Sequence, residues 1–266
     1  GELLQDARGG VRLHRPRVRK PLLHTLTAES KVIGWKENSN GKTGTVYVKS
    51  TGINQKDQVV LTYYRWLMMR KKDFDLHLEK KTIPQLPENV PTSEFTLPEK
   101  LNLKNWTSEI TGSKSFYDDY SVNEEIHHLD GQTIEEAEHQ LATRLYQNNA
   151  RVHFNQHVEA KGRFGKRIIY GGYIISLARA ISCNGFANTL KVCAIHSGKH
   201  SSPTFSGDTI YAWSKVLEKE IINDGVGALK IRTLASKNNS EILFPDEKLP
   251  DNIVLDIVYS IMIPKK

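Results

Sequence analysis

The chain has 266 residues, with 38% hydrophobic and 25% charged side chains, 10 prolines and 18 glycines. That length allows one large domain or two of ordinary size, and the composition excludes a wholly disordered chain while predicting long polar connections. A formal charge of +7 and a pI near 9.2 favour an anionic partner such as a nucleotide or a phosphorylated cofactor.

The excess of base begins at once: Arg8, Arg12, Arg15, Arg17, Arg19 and Lys20 crowd into the first twenty residues. This cluster reads as a solvated arm rather than a nucleic-acid contact. No apolar run is long enough to span a membrane. Cys183 and Cys193 have no metal-ligand spacing. They are expected to be two free, buried thiols of a protein in a reducing cytoplasm.

The chain then repeats itself. Thr25-Leu-Thr-Ala-Glu-Ser-Lys-Val-Ile33 matches Thr209-Ile-Tyr-Ala-Trp-Ser-Lys-Val-Leu217, and Val59 to Lys72 matches Ile253 to Lys266, in the same order. Two such matches predict a duplicated β-unit. In the first copy Thr45–Thr51 and Val59–Met69 read as strands, with Asn54-Gln-Lys-Asp57 as the hairpin turn. In the second, Ala228–Thr233 and Ile253–Ile263 repeat the pattern around a longer loop holding Pro245 and Pro250. Between the copies, Lys80 to Asn105 carries four prolines and no periodicity, so an extended linker over the surface is expected. The predicted division is 1–75 for a partial first unit, 76–108 for the linker and 109–266 for the second unit. The two units are expected to pair about a pseudo-twofold axis and to share one extended sheet.

Helical periodicity is confined to the second copy. One helix is predicted from an N-cap at Thr133, with Glu136 closing a capping box and Ile134, Ala137, Leu141 and Leu145 on the buried face. Another is predicted from Gly171-Gly172 through Ser182, apolar around most of its circumference and therefore buried. Only 24 residues precede Thr25, too rich in arginine for a matching buried helix, so a segment covering the first sheet is expected to be missing there.

Between the two helices lies the candidate site. His153 and Asn148 stand on a polar loop, and Gly171-Gly172 opens a helix whose unpaired amides can hold an anionic oxygen. An isolated loop histidine is more often a plain surface residue, and a Gly-Gly pair more often only a turn. Lys161, Arg163, Lys166 and Arg167 just before the helix can meet phosphates or form a solvated basic loop. His127-His128 and His196/His200 have no carboxylate at helical spacing, so no metal site is predicted.

Three segments resemble a known family. Phe164-Gly-Lys-Arg-Ile-Ile-Tyr-Gly171 is similar to the Phe-Gly-Arg-Pro-Ile-x-His-Gly motif of the MaoC-like (R)-specific enoyl-CoA hydratase/dehydratase group. Pro203-Thr-Phe-Ser-Gly-Asp-Thr-Ile210 resembles its Pro-Val-x-x-Gly-Asp-Thr-Leu, and Asn148 to Asn155 its Asp-x-Asn-Pro-x-His-x-Asp. The resemblance covers about Phe116 to Lys266 and, for the strands of a second module, Ser30 to Lys72.

The resemblance implies an α+β double hot dog fold, long antiparallel sheets wrapped around a central helix, with the first module incomplete. It implies a hydro-lyase working on the 2,3-position of a small acyl-CoA, with no cofactor beyond that thioester, in a homo-oligomer. His153 and Asn148 are then the catalytic candidates. Gly171, Gly172, Tyr170, Arg163, Lys166 and Arg167 become the candidates for binding substrate and CoA. The chain departs from the motif at Asn148, where the family has its catalytic Asp, and at Tyr170, where it has His. Because an amide cannot carry a proton, a silent CoA-binding module and a hot dog thioesterase stay open as alternatives.

Overall fold

The computed structural model describes residues 25–77, 81–98, 101–241, 244 and 249–266, together with the backbone of 11–14. The strands are β1 (Val11–His14), β2 (Leu26–Glu37), β3 (Thr43–Asn54), β4 (Val59–Arg70), β5 (Glu125–Thr133), β6 (Lys191–His200), β7 (Thr209–Asn223), β8 (Val226–Lys237) and β9 (Ile253–Pro264). They form one nine-stranded sheet in the order β2-β3-β4-β1-β6-β9-β8-β7-β5. Every neighbouring pair is antiparallel.

With β5 set aside, this order reads the same from either end if β1 matches β6, β4 matches β9, β3 matches β8 and β2 matches β7. The repeated sequences fall on these equivalent strands: the Thr25 and Thr209 segments on β2 and β7, the Val59 and Ile253 segments on β4 and β9. The two meanders therefore share one sheet, as the duplication predicts. They meet through β1 and β6 at Leu13 and Ile195. The first hairpin also turns where expected, with Asn54 Oδ1 accepting from the amides of Lys56 and Gln58 and Asp57 at a φ of 58°.

The two units differ in what covers them. Almost every residue of β9 is buried because both of its faces are packed. On one face lies α4 (Gly171–Ile181), whose Ile174, Leu177 and Ala178 join Ile210, Val216, Leu229, Ile231 and Tyr259 in the main core. On the other, the Pro-rich linker lays Phe95, Leu97, Leu101 and Leu103 against Cys193, Val226 and Met262. A strand covered on both sides reads as a continuous apolar run. In β4, by contrast, no residue is fully buried. The described helices all follow residue 91. The expected missing segment and the basic cluster fall before Thr25, and apart from the β1 backbone they lie outside the described residues.

Three expectations need correction. Thr133 does not cap a helix: it ends β5, paired with Thr209 through backbone register and a 2.8 Å hydroxyl contact. Sheet pairing holds it extended, so the helix begins later. With α1 (Ser108–Thr111) preceding it, this is α2 (Glu136–Leu145), and α3 (Gln156–Glu159) follows. The inward face of α2 carries His139 and Thr143, while Leu141 and Leu145 are 50% and 69% exposed. Nor are both thiols buried: Cys193 is, inside β6, but Cys183 is exposed just beyond α4.

Candidate active site

Residues 146–170 carry the chain from α2 to α4. The loop is held by a small apolar cluster of Ala150, Val152 and Ile168 against Phe205, and by Ile168 N–H donating to Val152 O at 3.1 Å. This packing buries the neighbouring His153, which ends the short 3-10 turn Arg151–His153 and is 3% exposed. His153 Nδ1–H donates to Ile168 O at 3.0 Å. In the neutral ring that bond fixes the tautomer and leaves the lone pair on Nε2. Burial pulls its pKa below the ordinary histidine value.

Asn148 lies half-buried five residues earlier. Its Oδ1 accepts the Ala150 N–H at 2.9 Å and its own amide donates to Thr143 O at 2.8 Å. It thus shapes the turn that delivers the His153 segment. Gln140 on α2 ties that segment down by donating to His153 O at 3.0 Å.

The start of α4 is surrounded by imidazoles. His139 of α2 accepts the Tyr170 N–H through Nε2 at 2.9 Å, and its ring meets that of His153 edge-on at 6.5 Å. Its pKa is pushed down to about 4, chiefly by burial. His200, the last residue of β6, lies against Gly171: a Cβ there would meet its Nε2 at 2.6 Å. Burial likewise lowers His200 to about 4.

Tyr170 folds its ring over Gly172, whose own Cβ would meet the phenol at 2.4 Å, and stacks edgewise on His153 at 5.7 Å. A side chain at either position would force the facing ring to shift. Because Gly171 and Gly172 open the helix, their amides have no carbonyl one turn earlier to receive them. A neutral imidazole with its lone pair on Nε2 thus lies beside a glycine-lined helix start, where negative charge is favoured.

The remaining candidates are placed as follows. Arg167 is ion-paired to Glu136 and donates from Nη1 to Phe154 O at 3.3 Å, so it braces the loop on α2. Arg163 and Lys166 are exposed and lie over the rings of Phe164 and Phe205, at 5.0 and 4.3 Å. His139 and His200 were not anticipated here. His139 sits at a helix position that looks polar in sequence, and His200 was considered only as a partner of His196. His196 in fact bonds Ser260 Oγ and accepts the Val90 amide. Among the described residues, no three His, Cys, Asp or Glu side chains are grouped to hold a metal, and no helix is long and apolar enough to cross a membrane.

A duplicated antiparallel sheet wrapped on a buried helix, with a histidine loop at that helix's N-terminus, is the architecture of a double hot dog protein. No family model matches the chain. Over 248 residues it is 51% identical to the β-methylmalyl-CoA dehydratase of Chloroflexus aurantiacus, covering 91% of this chain and 70% of that protein. Over 245 residues it is 44% identical to the mesaconyl-CoA hydratase of Cereibacter sphaeroides, covering 91% and 71%. The fold superimposes on a MaoC domain dehydratase from Chloroflexus aurantiacus with a TM-score of 0.91 at 49% identity, covering 97% of this chain and 75% of that one. It also shares the fold of a Mycobacterium tuberculosis protein with a double hotdog fold, at a TM-score of 0.69 and 22% identity over 98% of this chain and 76% of that one. The chain belongs to the MaoC-like hydratase/dehydratase family.

Proposed function

We propose that this hydro-lyase adds or removes water at the 2,3-position of an acyl-CoA thioester at the N-terminus of α4, with His153 as proton carrier. The observation that supports the reading is the His153 Nδ1–H bond to Ile168 O, which fixes the tautomer, with the ring edge-on to Tyr170 at the start of α4. In the hydration direction His153 takes a proton from water as the water oxygen bonds to C3. The electrons of the C2–C3 double bond move toward the thioester, and negative charge collects on its oxygen.

The amides of Gly171 and Gly172 receive that charge at close range, helped by the helix dipole. The imidazolium then returns the proton to C2, and the thioester carbonyl reforms. One side chain completes both transfers, so Asn148 acts by holding the loop through Ala150 rather than by carrying a proton. On this reading residues 1–75 are a partial first module, 76–108 the linker and 109–266 the second module. Exposed Arg163 and Lys166 are the candidates to meet the CoA phosphates, and Arg167 braces their loop through its pair with Glu136.

Replacing His153 by Ala tests this directly. Hydration of a short 2-enoyl-CoA, followed by loss of the conjugated thioester absorbance, should fall by about 10²- to 10⁴-fold, the usual effect of losing a general base. Full activity in a folded His153→Ala variant would place the reaction elsewhere.

A further inference from the structure

The repeat that sets Val59 to Lys72 on Ile253 to Lys266 makes Tyr63 the counterpart of Ile257 and Arg65 the counterpart of Tyr259. In the second module both counterparts are buried in the main core with the residues of α4. The first module therefore carries a phenol and a guanidinium where its duplicate carries core side chains.

The sheet register gives their direction. Directly opposite residues of neighbouring strands share a face of the sheet, and so do residues two apart in one strand. Through the backbone of Leu13 in β1, Tyr63 is in register with Ile195 of β6, and Ile195 is opposite Tyr259. Tyr63 and Arg65 thus stand on the α4 side of the shared sheet. They are two strand spacings, or roughly 10 Å, from β6, across the seam where the modules meet.

The neighbours of Arg65 on this face of β3 and β4 are Val46, Val48, Ser50, Tyr63 and Leu67, all uncharged. Its guanidinium lies over the Tyr63 ring at 5.7 Å, and among the described residues no carboxylate pairs with it. Holding a half-buried charge without an anion beside it is costly. Its field nonetheless reaches the start of α4. The Tyr170 phenol oxygen would stand 2.4 Å from a Cβ on Gly172. Burial raises the pKa of that phenol, the Tyr63 hydroxyl adds to the rise, and the charge of Arg65 draws it down. The cation is thus felt by an atom that lies against the first turn of the helix.

We propose that Arg65 is the first module's contribution to the reaction: its positive charge, set across the seam from α4, stabilises the negative charge that collects on the thioester oxygen. The inference rests on the reading that this oxygen is held at Gly171 and Gly172. The helix amides and the cation then act on one developing charge. In a half-buried site a fixed charge works without direct contact, because little water screens it. The neutral thioester gains less from it than the enolate-like state does, so the effect falls on kcat rather than on KM.

The test is steady-state hydration of a short 2-enoyl-CoA by Arg65→Lys, Arg65→Gln and Arg65→Met, with His153→Ala assayed beside them. Arg65→Gln and Arg65→Met remove the charge and should lower kcat by about 10- to 100-fold, with KM within about threefold of wild type. Arg65→Lys keeps the charge and should hold kcat within about fivefold. The methionine fills the space of the arginine stem, and an apolar replacement of a buried charge is often neutral or stabilising. It therefore separates charge from packing, and it provides the answer if the glutamine variant does not fold.

Wild-type kcat in a folded neutral variant overturns the proposal; so does a lysine variant as slow as the neutral ones, or a loss confined to KM. The two readings fail separately. A crippled His153→Ala beside neutral Arg65 variants of full kcat keeps the site at α4 and removes only the role of Arg65. A fully active His153→Ala sinks the hydration reading at α4, and the proposal with it.

Discussion

The imidazole of His200 lies so close to the α-carbon of Gly171 that an added methyl group would stand 2.6 Å from Nε2. This contact locks the end of β6 to the start of α4 and sets where the helix amides point. Gly171→Ala should push the two apart, costing about 1–3 kcal/mol of stability as overpacking. Hydration should fall by about 10²-fold or more, because the displaced amides are preorganised donors. Thermal unfolding alongside steady-state assays checks both, and an alanine variant with undiminished kcat would show that these amides do not hold the thioester oxygen.

Asn148 offers a gain test. Its Oδ1 accepts the Ala150 amide, and an aspartate oxygen can do the same, so Asn148→Asp should keep the turn and the fold. It adds back the proton carrier found in the family motif, and activity should hold or rise. Asn148→Ala removes the acceptor and should lower kcat through His153 misplacement, with Tm changed by only a few degrees. Comparison of kcat for the three proteins decides whether Asn148 works through the loop.

The pH dependence of activity follows from His153. Burial depresses its folded pKa, so the basic form needed for hydration persists below the usual histidine range. The acid limb of kcat/KM should therefore fall below about pH 6.5, the ordinary histidine value. A limb centred above that would exclude a buried His153 as the base.

Stability should lose ground to acid over a defined window. His128, His139 and His196 are buried, and each is lowered to about 4, by burial first. Unfolded histidines titrate near 6.5, so between those values the unfolded chain binds more protons than the folded one. Their contribution is complete above about pH 6.5 and is lost progressively as pH falls toward 4. Each can contribute a slope of up to about 1.4 kcal/mol per pH unit. Denaturant titrations at half-unit steps should show this decline, and a flat profile across the window would contradict the burial of these rings.

Asn188 pins the segment that leads into the second module. It is fully buried, its Oδ1 accepts from Trp106 Nε1 at 3.1 Å and Thr111 Oγ1 at 2.6 Å, and its Nδ2 donates to Ser113 O and Ser115 O. Asn188→Ala strands these partners and should cost about 2–4 kcal/mol, since an unmet buried polar group costs about 1–3 kcal/mol. Equilibrium unfolding measures it, with hydration by the folded fraction expected to stay near wild type because the side chain touches nothing at α4's first turn.

The duplicated strands, the hairpin at Asn54, the buried helix from Gly171 and the family were legible in the chain itself. They depend on local pattern: β-branched alternation, turn residues, an all-round apolar helix and short motifs that survive in linear order. Thr133 misled because its capping-box signature is local, whereas its partner Thr209 is remote and sheet pairing won. Leu141 and Leu145 misled in the same way, for periodicity marks a stripe but not which stripe meets the core, and here the inward one holds His139 and Thr143. The convergence of His139, His153 and His200 on Tyr170 and Gly171 was decided only by tertiary structure. Burial and tautomer come from what packs around a side chain, and those neighbours are brought in from α2 and β6, far apart along the chain.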